Sequence, residues 1–465
     1  MSRLTALLLV LALWAAIYLP GLGSTELRGE EGRRILPAVT MLETGDWLVS
    51  YVGGKPFLRK PPLINWVIAI SFKLTGVRNE WTARLPSALS VLAMGLTIVA
   101  LSGPGWLRTE TALAAAIMAM STCGLLAKAR FAGAEIEGLY APLFGIAIAV
   151  WLAGWQRGFS PWIVWLVPGM FLGLGALLKG PQLHLLFFYA IVGAVIGVQR
   201  RWRALLHPAP WAGVALMAAI FLSWWIPYQR TEAGSAANKV WRDQVVNRVT
   251  EDRSDWASYA SNLPRGMIDL LPWVLFAPVV VKRVRRRPEE PAPDDETQAS
   301  WVRPVLWACV AMYVGLLLVK GVLPRYVLPL EVPLALVVAT ALSSRLVLKI
   351  GAALGVASII YGLCTPLINR SDDLRPLAAA IDAKVPPGAT LTLYDPGYQA
   401  WIFYLRSPYA YAPYLEDVPA SPSCVLARGK ERKKFAEKRP DLVVVETFKG
   451  KKDGEFLLLA PGKGS

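Results

Sequence analysis

The residues best suited to chemistry lie in a polar segment, residues 24–66, that follows the first apolar stretch of the chain. A carboxylate can accept a proton from a hydroxyl group, and a cation can stabilise the negative charge on a phosphate. Charges beside a bilayer cost free energy unless they have partners or water. Glu30, Arg33 and Arg34 fall within one helical turn, as do Glu31 and Arg34, so carboxylates and guanidinium groups can share a helix face. A purely structural, salt-bridged helix at the membrane interface is the alternative.

The composition indicates which class of protein carries this segment. The chain has 465 residues, of which 55% are hydrophobic and 19 are tryptophan, and its mean hydropathy is +0.42. Such values predict an α-helical polytopic membrane protein. Many of the basic residues behind the net charge of +16 lie in short loops, where they set topology, so we do not expect a nucleic-acid partner. The four cysteines and two histidines form no disulfide framework, zinc signature or histidine-rich metal site.

The apolar stretches predict eleven membrane spans plus interfacial helices, because about 20 apolar residues cross the hydrocarbon core. The predicted spans are residues 4–21, 86–102, 110–126, 137–155, 161–178, 181–198, 209–227, 267–282, 303–320, 323–342 and 346–366. Segment 62–76 is short and begins at a Pro-Pro pair. The basic loops 199–203 and 282–287 and Arg3 should all be cytoplasmic. That is consistent only if segment 62–76 lies at the interface without crossing.

This topology places most of the polar segments on the non-cytoplasmic side. A transmembrane domain of residues 1–370 would have outer loops at 22–85 and 228–266, and a flexible cytoplasmic linker at 283–302. The tail, residues 371–465, would also lie outside. Its strand-like runs alternate with helix-like segments, which predicts a small C-terminal α/β extracytoplasmic domain with a core of its own.

An ordered series of motifs resembles a known family. The first loop carries Glu30-Glu31-x-Arg33, Gly45-Asp46-Trp47, Lys60-Pro61-Pro62-Leu63 and Trp66. The later matches are Lys179-Gly180-Pro181, Asn247-Arg248, Leu271-Pro272-Trp273, and Leu323-Pro324-Arg325-Tyr326 with Leu328-Pro329. Over roughly residues 10–345 the series is similar to the GT-C superfold of bacterial membrane glycosyltransferases, which includes protein O-mannosyltransferases and the lipid A aminoarabinose transferase.

The resemblance implies transfer of a sugar from a polyprenyl-phosphate donor to a hydroxyl acceptor outside the bacterial cytoplasmic (inner) membrane. The acceptor could be lipid A, a glycan or a protein. The leading acidic residue of the family, which acts as the base or orients the acceptor, corresponds to Glu30, followed by Glu31. The second acidic residue corresponds to Glu135, with Glu137 as the competing alignment. The cations expected to bind the donor phosphate are Arg33, Arg59, Lys60, Lys179, Arg248 and Arg325.

The chain also departs from the family pattern. Both carried-over acidic residues are glutamates in place of aspartates, and Arg59 occupies the position of an acidic residue that helps to hold a metal in some relatives. Loop 228–266 contains no histidine. We therefore expect no zinc site and no other cofactor, while a carboxylate-only Mg²⁺ or Mn²⁺ site stays open.

Several of these residues have simpler interpretations. Lys60 could be an anchor whose amine reaches the interface, Lys179 and Arg325 could be charges that end spans, and Glu135 could only solvate a turn. Two other functions also remain. A lipid or sugar transporter would show paired broken spans, and a catalytically inactive relative that serves in assembly would tolerate the glutamate replacements.

Overall fold

The computed structural model describes residues 1–27, 30–250, 256–285, 293–318, 324–368, 374–450 and 454–462. Parts of the predicted linker 283–302 and of loop 228–266, together with Leu323 of the later motif, lie outside these residues. The chain divides into two compact units. The first unit comprises Met1–Leu22, Leu58–Ile64 and Arg84–Leu363, and the second comprises Gly23–Phe57, Asn65–Ala83 and Cys364–Ser465.

Helices form most of the described chain. In chain order they are α1 Arg3–Tyr18, α2 Gly32–Thr44, α3 Leu63–Thr75, α4 Glu80–Ala100, α5 Thr109–Met120, α6 Cys123–Leu125, α7 Glu137–Arg157, α8 Pro161–Lys179, α9 Leu183–Val198, α10 Pro208–Gln229, α11 Glu232–Thr250, α12 Trp256–Asp269, α13 Ala277–Arg285, α14 Pro293–Leu317, α15 Glu331–Ala339, α16 Ser344–Ile368, α17 Arg375–Asp382 and α18 Arg432–Lys438. The strands are β1 Tyr51–Val52, β2 Lys55–Pro56, β3 Leu391–Tyr394, β4 Tyr409–Ala412, β5 Cys424–Arg428, β6 Leu442–Gly450 and β7 Gly454–Pro461.

The prediction of a multi-pass helical membrane protein is confirmed. Six helices of the described chain are long and apolar enough to cross a membrane: α4, α7, α8, α10, α14 and α16. A seventh span results if α5 and the segment Cys123–Phe131, which meet at a bend of 49°, are counted as one. Helices α1, α3 and α9 are apolar but shorter. Helix length therefore supports six or seven spans and does not fix the number eleven.

Two stretches predicted as continuous spans are broken in the structure. In residues 267–282, α12 ends at Asp269, a 3₁₀ turn covers Trp273–Phe276, and α13 follows. In residues 323–342, a 3₁₀ helix, Pro324–Leu330, precedes the nine residues of α15. Proline explains both differences, because it has no backbone N–H to donate and its ring obstructs the preceding helical turn.

Close helix packing holds the first unit together. Helix α7 is central, since 94% of its apolar window is buried. Helices α8 and α10 meet at glycines. A Cβ on Gly169 would lie 2.5 Å from the carbonyl oxygen of Gly213, and a Cβ on Gly213 would lie 2.5 Å from that of Trp165. Small residues allow such backbone approach, which is how helices gain packing energy where lipid removes the usual hydrophobic driving force.

The second unit confirms the small α/β domain expected in the tail. Its five-stranded sheet has the order β4-β3-β5-β7-β6, with β3 parallel to β4 and β5, and β7 antiparallel to its two neighbours. The core of this sheet contains Trp401, Phe456 and Leu391, and Leu36 of α2 is buried in the same cluster. A helix of the first predicted outer loop therefore shares a hydrophobic core with the tail, although more than 320 residues separate them in the chain.

Candidate functional site

About half of the sequence-predicted site residues fall into two charged clusters, one in each unit. The loop cluster, in the second unit, consists of Glu30, Arg33 and Tyr398. The Nη1 atom of Arg33 lies 2.8 Å from both carboxylate oxygens of Glu30, and Nη2 of Arg34 is 3.7 Å from Oε2. The guanidinium carbon of Arg33 is 3.7 Å from the centre of the Tyr398 ring, which is a cation–π contact. Arg33 is therefore fixed between a carboxylate and an aromatic ring.

Burial separates the two neighbouring glutamates. The side chain of Glu30 is 33% exposed, whereas Glu31 is completely buried. Glu30 precedes α2 and Glu31 is its N-cap residue, so both lie at the positive end of the helix. Of the two carboxylates, Glu30 is the one that a substrate can reach.

The Gly-Asp-Trp motif shapes the chain beyond α2. Gly45 ends the helix with a φ of 75°, a left-handed conformation that glycine adopts without strain. Asp46 Oδ1 accepts hydrogen bonds from the backbone N–H groups of Leu48 and Val49, at 2.9 and 3.2 Å, and Trp66 donates its indole N–H to the carbonyl oxygen of Trp47 at 2.7 Å. These contacts explain the motif as a turn and give it no direct chemical role.

An ion-pair network joins the hairpin of β1 and β2 to the tail. Lys55 Nζ is 2.9 Å from Asp395 Oδ1, and Arg428 Nη2 is 2.8 Å from Oδ2. The hairpin turns at Gly53 and Gly54, whose φ angles of 59° and 77° suit a two-residue turn. A Cβ on Gly53 would approach the carbonyl oxygen of Gly397 to 2.8 Å. The tail loop around Asp395 therefore packs directly on the hairpin.

Replacing Asp395 by asparagine should destabilise this packing in a pH-dependent manner. Burial alone would raise the pKa of Asp395, but Lys55 and Arg428 outweigh it, so the pKa lies below the ordinary value of 3.8. The ion pairs therefore stabilise the folded state above about pH 4, by roughly 1 kcal/mol for such partly exposed pairs, and this contribution is lost as the pH falls through the folded pKa.

Thermal unfolding of the detergent-solubilised full chain at pH 7 and pH 3.5 tests this expectation. The variant should unfold at a lower temperature than the wild type at pH 7, and the difference should shrink at pH 3.5. Glu437→Gln is the control, because Glu437 lies at an exposed position of α18 in the same unit. A deficit for Asp395→Asn that is equal at both pH values would contradict an electrostatic origin.

The second cluster, the acidic-turn cluster, lies in the first unit and consists of Lys128, Glu135, Glu137, Lys179 and Arg325. A π-helix at Leu126–Phe131 carries Lys128, whose Nζ is 2.9 Å from Glu135 Oε2. Gly138 allows α7 to approach this π-helix, because a Cβ there would collide with the Lys128 carbonyl oxygen. Burial raises the pKa of Glu135 even though Lys128 opposes the shift. Single π-helical turns are frequent at functional sites.

Glu137 lies between two cations. Its Oε1 is 3.1 Å from Lys179 Nζ and 3.7 Å from Arg325 Nε. The side chains of Glu137 and Lys179 are 7% and 8% exposed, whereas that of Arg325 is 34% exposed. Lys179 also lies over the rings of Tyr326 and Tyr140, at 4.4 and 5.1 Å. The two candidates for the second acidic residue therefore differ in their surroundings. Glu137 is paired with two cations, whereas Glu135 is paired with Lys128.

The remaining predicted residues belong to neither cluster as described. Arg59 is exposed and Lys60 is partly buried, both in the segment that leads into α3. Arg248 falls within α11, but its side chain lies outside the described residues. Sequence reasoning missed Lys128, Tyr326 and Tyr398. Tyr326 stands inside a quoted motif, whereas Tyr398 could be found only from the fold. Within the described ranges, no group of three or more His, Cys, Asp or Glu side chains could hold a metal ion.

Comparison with known proteins agrees with the motif series. Residues 59–226, less than half of the chain, match the family model described as dolichyl-phosphate-mannose-protein mannosyltransferase. The undecaprenyl phosphate-alpha-4-amino-4-deoxy-L-arabinose arabinosyl transferase 2 of Pseudomonas fluorescens is 27% identical over 370 residues. A transferase of the same name without the number, from Pseudomonas savastanoi, is 28% identical over 364 residues. The alignments cover 78% and 77% of this chain but only 65% of each relative.

A solved structure extends the similarity to the whole fold. The crystal structure of ArnT from Cupriavidus metallidurans bound to undecaprenyl phosphate superposes with a TM-score of 0.69 at 16% sequence identity. The superposition covers 99% of this chain and 98% of that one. The chain therefore has the fold of that structure, and its residues 59–226 match the dolichyl-phosphate-mannose-protein mannosyltransferase model, both in agreement with the resemblance that the motif series indicates.

Proposed function

We propose that this chain transfers a sugar from a polyprenyl-phosphate donor to a hydroxyl acceptor on the outer face of the bacterial cytoplasmic membrane. The observation that carries the proposal is the partly exposed carboxylate of Glu30, which Arg33 holds at 2.8 Å within a GT-C fold. The names of the relatives, which specify an undecaprenyl phosphate-linked aminoarabinose, support a lipid-phosphate donor. Lipid A, a glycan or a protein hydroxyl could be the acceptor.

In this mechanism Glu30 accepts the proton of the acceptor hydroxyl as that oxygen attacks the anomeric carbon. The bond between the anomeric carbon and the phosphate oxygen breaks, and the polyprenyl phosphate leaves with an additional negative charge. Glu31 is buried, so we give it a structural role beside Glu30. Arg33 orients the Glu30 carboxylate and can remain hydrogen-bonded to it while the proton is transferred.

Cations of the acidic-turn cluster and its surroundings would stabilise the leaving phosphate. A well-placed donor is worth roughly 3 kcal/mol in a transition state. Arg325 suits this role because a third of its side chain is exposed, whereas Lys179 is buried against Glu137 and fixes that carboxylate. Arg59, Lys60 and Arg248 are the further candidates. Of Glu135 and Glu137, we assign the role of the family's second acidic residue to Glu135, because the side chain of its neighbour Lys128 is partly exposed.

The orientation follows from the same proposal. The proposed topology has eleven spans, and it counts the short helices α1 and α9 and the broken segments as crossings. Glu30, Glu135 and the tail would then lie on the non-cytoplasmic side of the membrane. The transmembrane domain would then end near residue 370, and residues 371–465 would form the extracytoplasmic domain, joined by α2 through the shared core around Leu36. A cysteine-accessibility experiment with Ser421→Cys in the exposed tail would test this orientation.

The activity itself is tested with the full chain in lipid nanodiscs. A panel of polyprenyl-phosphate sugars and a membrane extract would be supplied, and mass spectrometry would follow donor consumption together with glycosylated product. Loss of donor matched by product supports the proposal and identifies the sugar. Translocation of an intact donor across proteoliposomes without product would favour a transporter, and neither reaction with any donor would favour an inactive relative.

Replacing Lys128 by methionine should shift the acidic side of the pH–activity profile upwards. Lys128 opposes the burial that raises the pKa of Glu135, so without the ammonium the carboxyl stays protonated to higher pH. If the reaction needs ionised Glu135, activity should fall most at acidic pH and recover as the pH rises. Lys73→Met, at an exposed position of α3, is the control. A loss of activity that is uniform across pH would exclude this electrostatic role.

A further inference from the structure

In the second unit, one segment of the tail contacts the polar first loop at both of its ends. Tyr398 follows β3, and the chain then enters a 3₁₀ helix, Ala400–Tyr404. Trp401 of this helix is completely buried in the core of the tail sheet. The core therefore fixes the segment, and the tyrosines on either side of Trp401 are held where they meet the loop that carries Glu30.

Both tyrosines contact the backbone that flanks Glu30. The hydroxyl oxygen of Tyr404 accepts a hydrogen bond from the backbone N–H of Leu27 at 2.9 Å. The carbonyl oxygen of Tyr398 packs on the first residue of α2, since a Cβ on Gly32 would lie only 2.7 Å from it. The tail therefore holds the chain both before and after the partly exposed carboxylate.

The ring of Tyr398 adds what the ion pair of Glu30 and Arg33 lacks. The two side chains are 33% and 20% exposed, and an ion pair that water reaches is weak, because holding a long side chain in one geometry costs entropy. The guanidinium carbon of Arg33 lies 3.7 Å from the centre of the Tyr398 ring, well inside the limit of about 6 Å for a cation–π contact. The ring therefore restricts Arg33 to the position from which its Nη1 atom reaches both oxygens of Glu30.

We propose that Tyr398 is a positioning residue for the sugar transfer. Its ring holds the guanidinium group of Arg33, and through it the carboxylate of Glu30, in the orientation that receives the proton of the acceptor hydroxyl. A base must lie at hydrogen-bond distance from that proton, so a carboxylate that swings away is unproductive. The inference rests on the proposed function, in which Glu30 is the base, and it gives the tail a part in the reaction.

The test measures kcat and the KM for the donor in the full chain in lipid nanodiscs, with the polyprenyl-phosphate sugar panel and the membrane extract. Tyr398→Leu removes the aromatic face and should lower kcat about 2- to 30-fold, the factor that one cation–π contact supplies, with KM unchanged. Tyr398→Phe keeps the face and should restore the wild-type kcat. Tyr414→Leu is the matched control, because Tyr414 is another exposed tail tyrosine, with Lys55 Nζ 4.9 Å from its ring centre. Its kcat should stay within a factor of about 2 of the wild type.

A second background shows whether Tyr398 acts through Arg33. Arg33→Met removes the guanidinium group, so adding Tyr398→Leu to it should cause no further fall in kcat. An equal fall in both backgrounds, a wild-type kcat in Tyr398→Leu, or a raised KM at constant kcat would overturn the inference. If Tyr398→Leu does not fold, Gly32→Ala replaces it, because the added Cβ must displace the Tyr398 carbonyl and should lower kcat likewise. A wild type that consumes no donor would refute the proposed function itself, and this inference with it.

Discussion

Replacing Glu30 by glutamine should reduce sugar transfer about 10²- to 10⁴-fold, the usual contribution of a general base. Glutamine keeps the size of the side chain and can still accept a hydrogen bond from Arg33, but it cannot take the proton of the acceptor hydroxyl. The change should therefore lower kcat while the protein stays folded. Donor consumption in nanodiscs, followed by mass spectrometry, measures the effect directly.

The matched control for this prediction is Glu43→Gln. Glu43 belongs to the same helix, α2, and forms an ion pair with Arg78 at 3.0 Å, but both side chains are about half exposed. Such surface pairs contribute little, so transfer should stay within a factor of about 2 of the wild type. If Glu30→Gln turns over donor as fast as Glu43→Gln, Glu30 forms only a structural salt bridge and is not the base.

Replacing Lys179 by methionine should destabilise the protein by roughly 3–5 kcal/mol, the cost of leaving one member of a buried ion pair without its partner. Glu137 and Lys179 are both more than nine-tenths buried and lie 3.1 Å apart. Without the ammonium, Arg325 at 3.7 Å would be the remaining cation beside this carboxylate in the described cluster. The expected result is a large fall in the unfolding temperature of the detergent-solubilised protein.

A second variant separates this loss of pairing from a general packing defect. In the double variant Lys179→Met, Glu137→Gln the buried charge is removed together with its partner, so much of the stability should return. Lys349→Met, at an exposed position of α16, should change the unfolding temperature little. If the double variant is as unstable as Lys179→Met alone, the ion pair does not explain the effect.

Composition and hydrophobic periodicity alone determined the membrane class of this protein. Apolar stretches of about 20 residues match the thickness of the hydrocarbon core, and in lipid the backbone groups must pair within the segment. A helical, multi-pass chain therefore follows from local sequence. The α/β structure of the tail could also be predicted from local sequence, because strand-like runs alternate there with helix-like segments. Local sequence could not determine where prolines break a span, as they do before α13 and in the 3₁₀ helix ahead of α15. Neighbouring helices decide whether such a break is tolerated.

In the candidate site, too, spacing predicts the local contacts but not the long-range ones. Glu30 and Arg33 are one helical turn apart, so their pairing could be read from spacing. The contact of Arg33 with Tyr398 joins residues 365 positions apart, and Lys55 meets Asp395 over a similar separation. The partner of Glu137 proved to be Lys179, from another helix.

The membrane fold class, the motif series and the local charge pairs could thus be predicted in advance, because they depend on residue type and on spacing within a few turns. Which carboxylate is exposed and which cation neutralises which acid became clear from the tertiary structure alone. Burial and long-range pairing arise from how distant segments pack, and the free energy of a charge depends on that packing more than on its place in the chain.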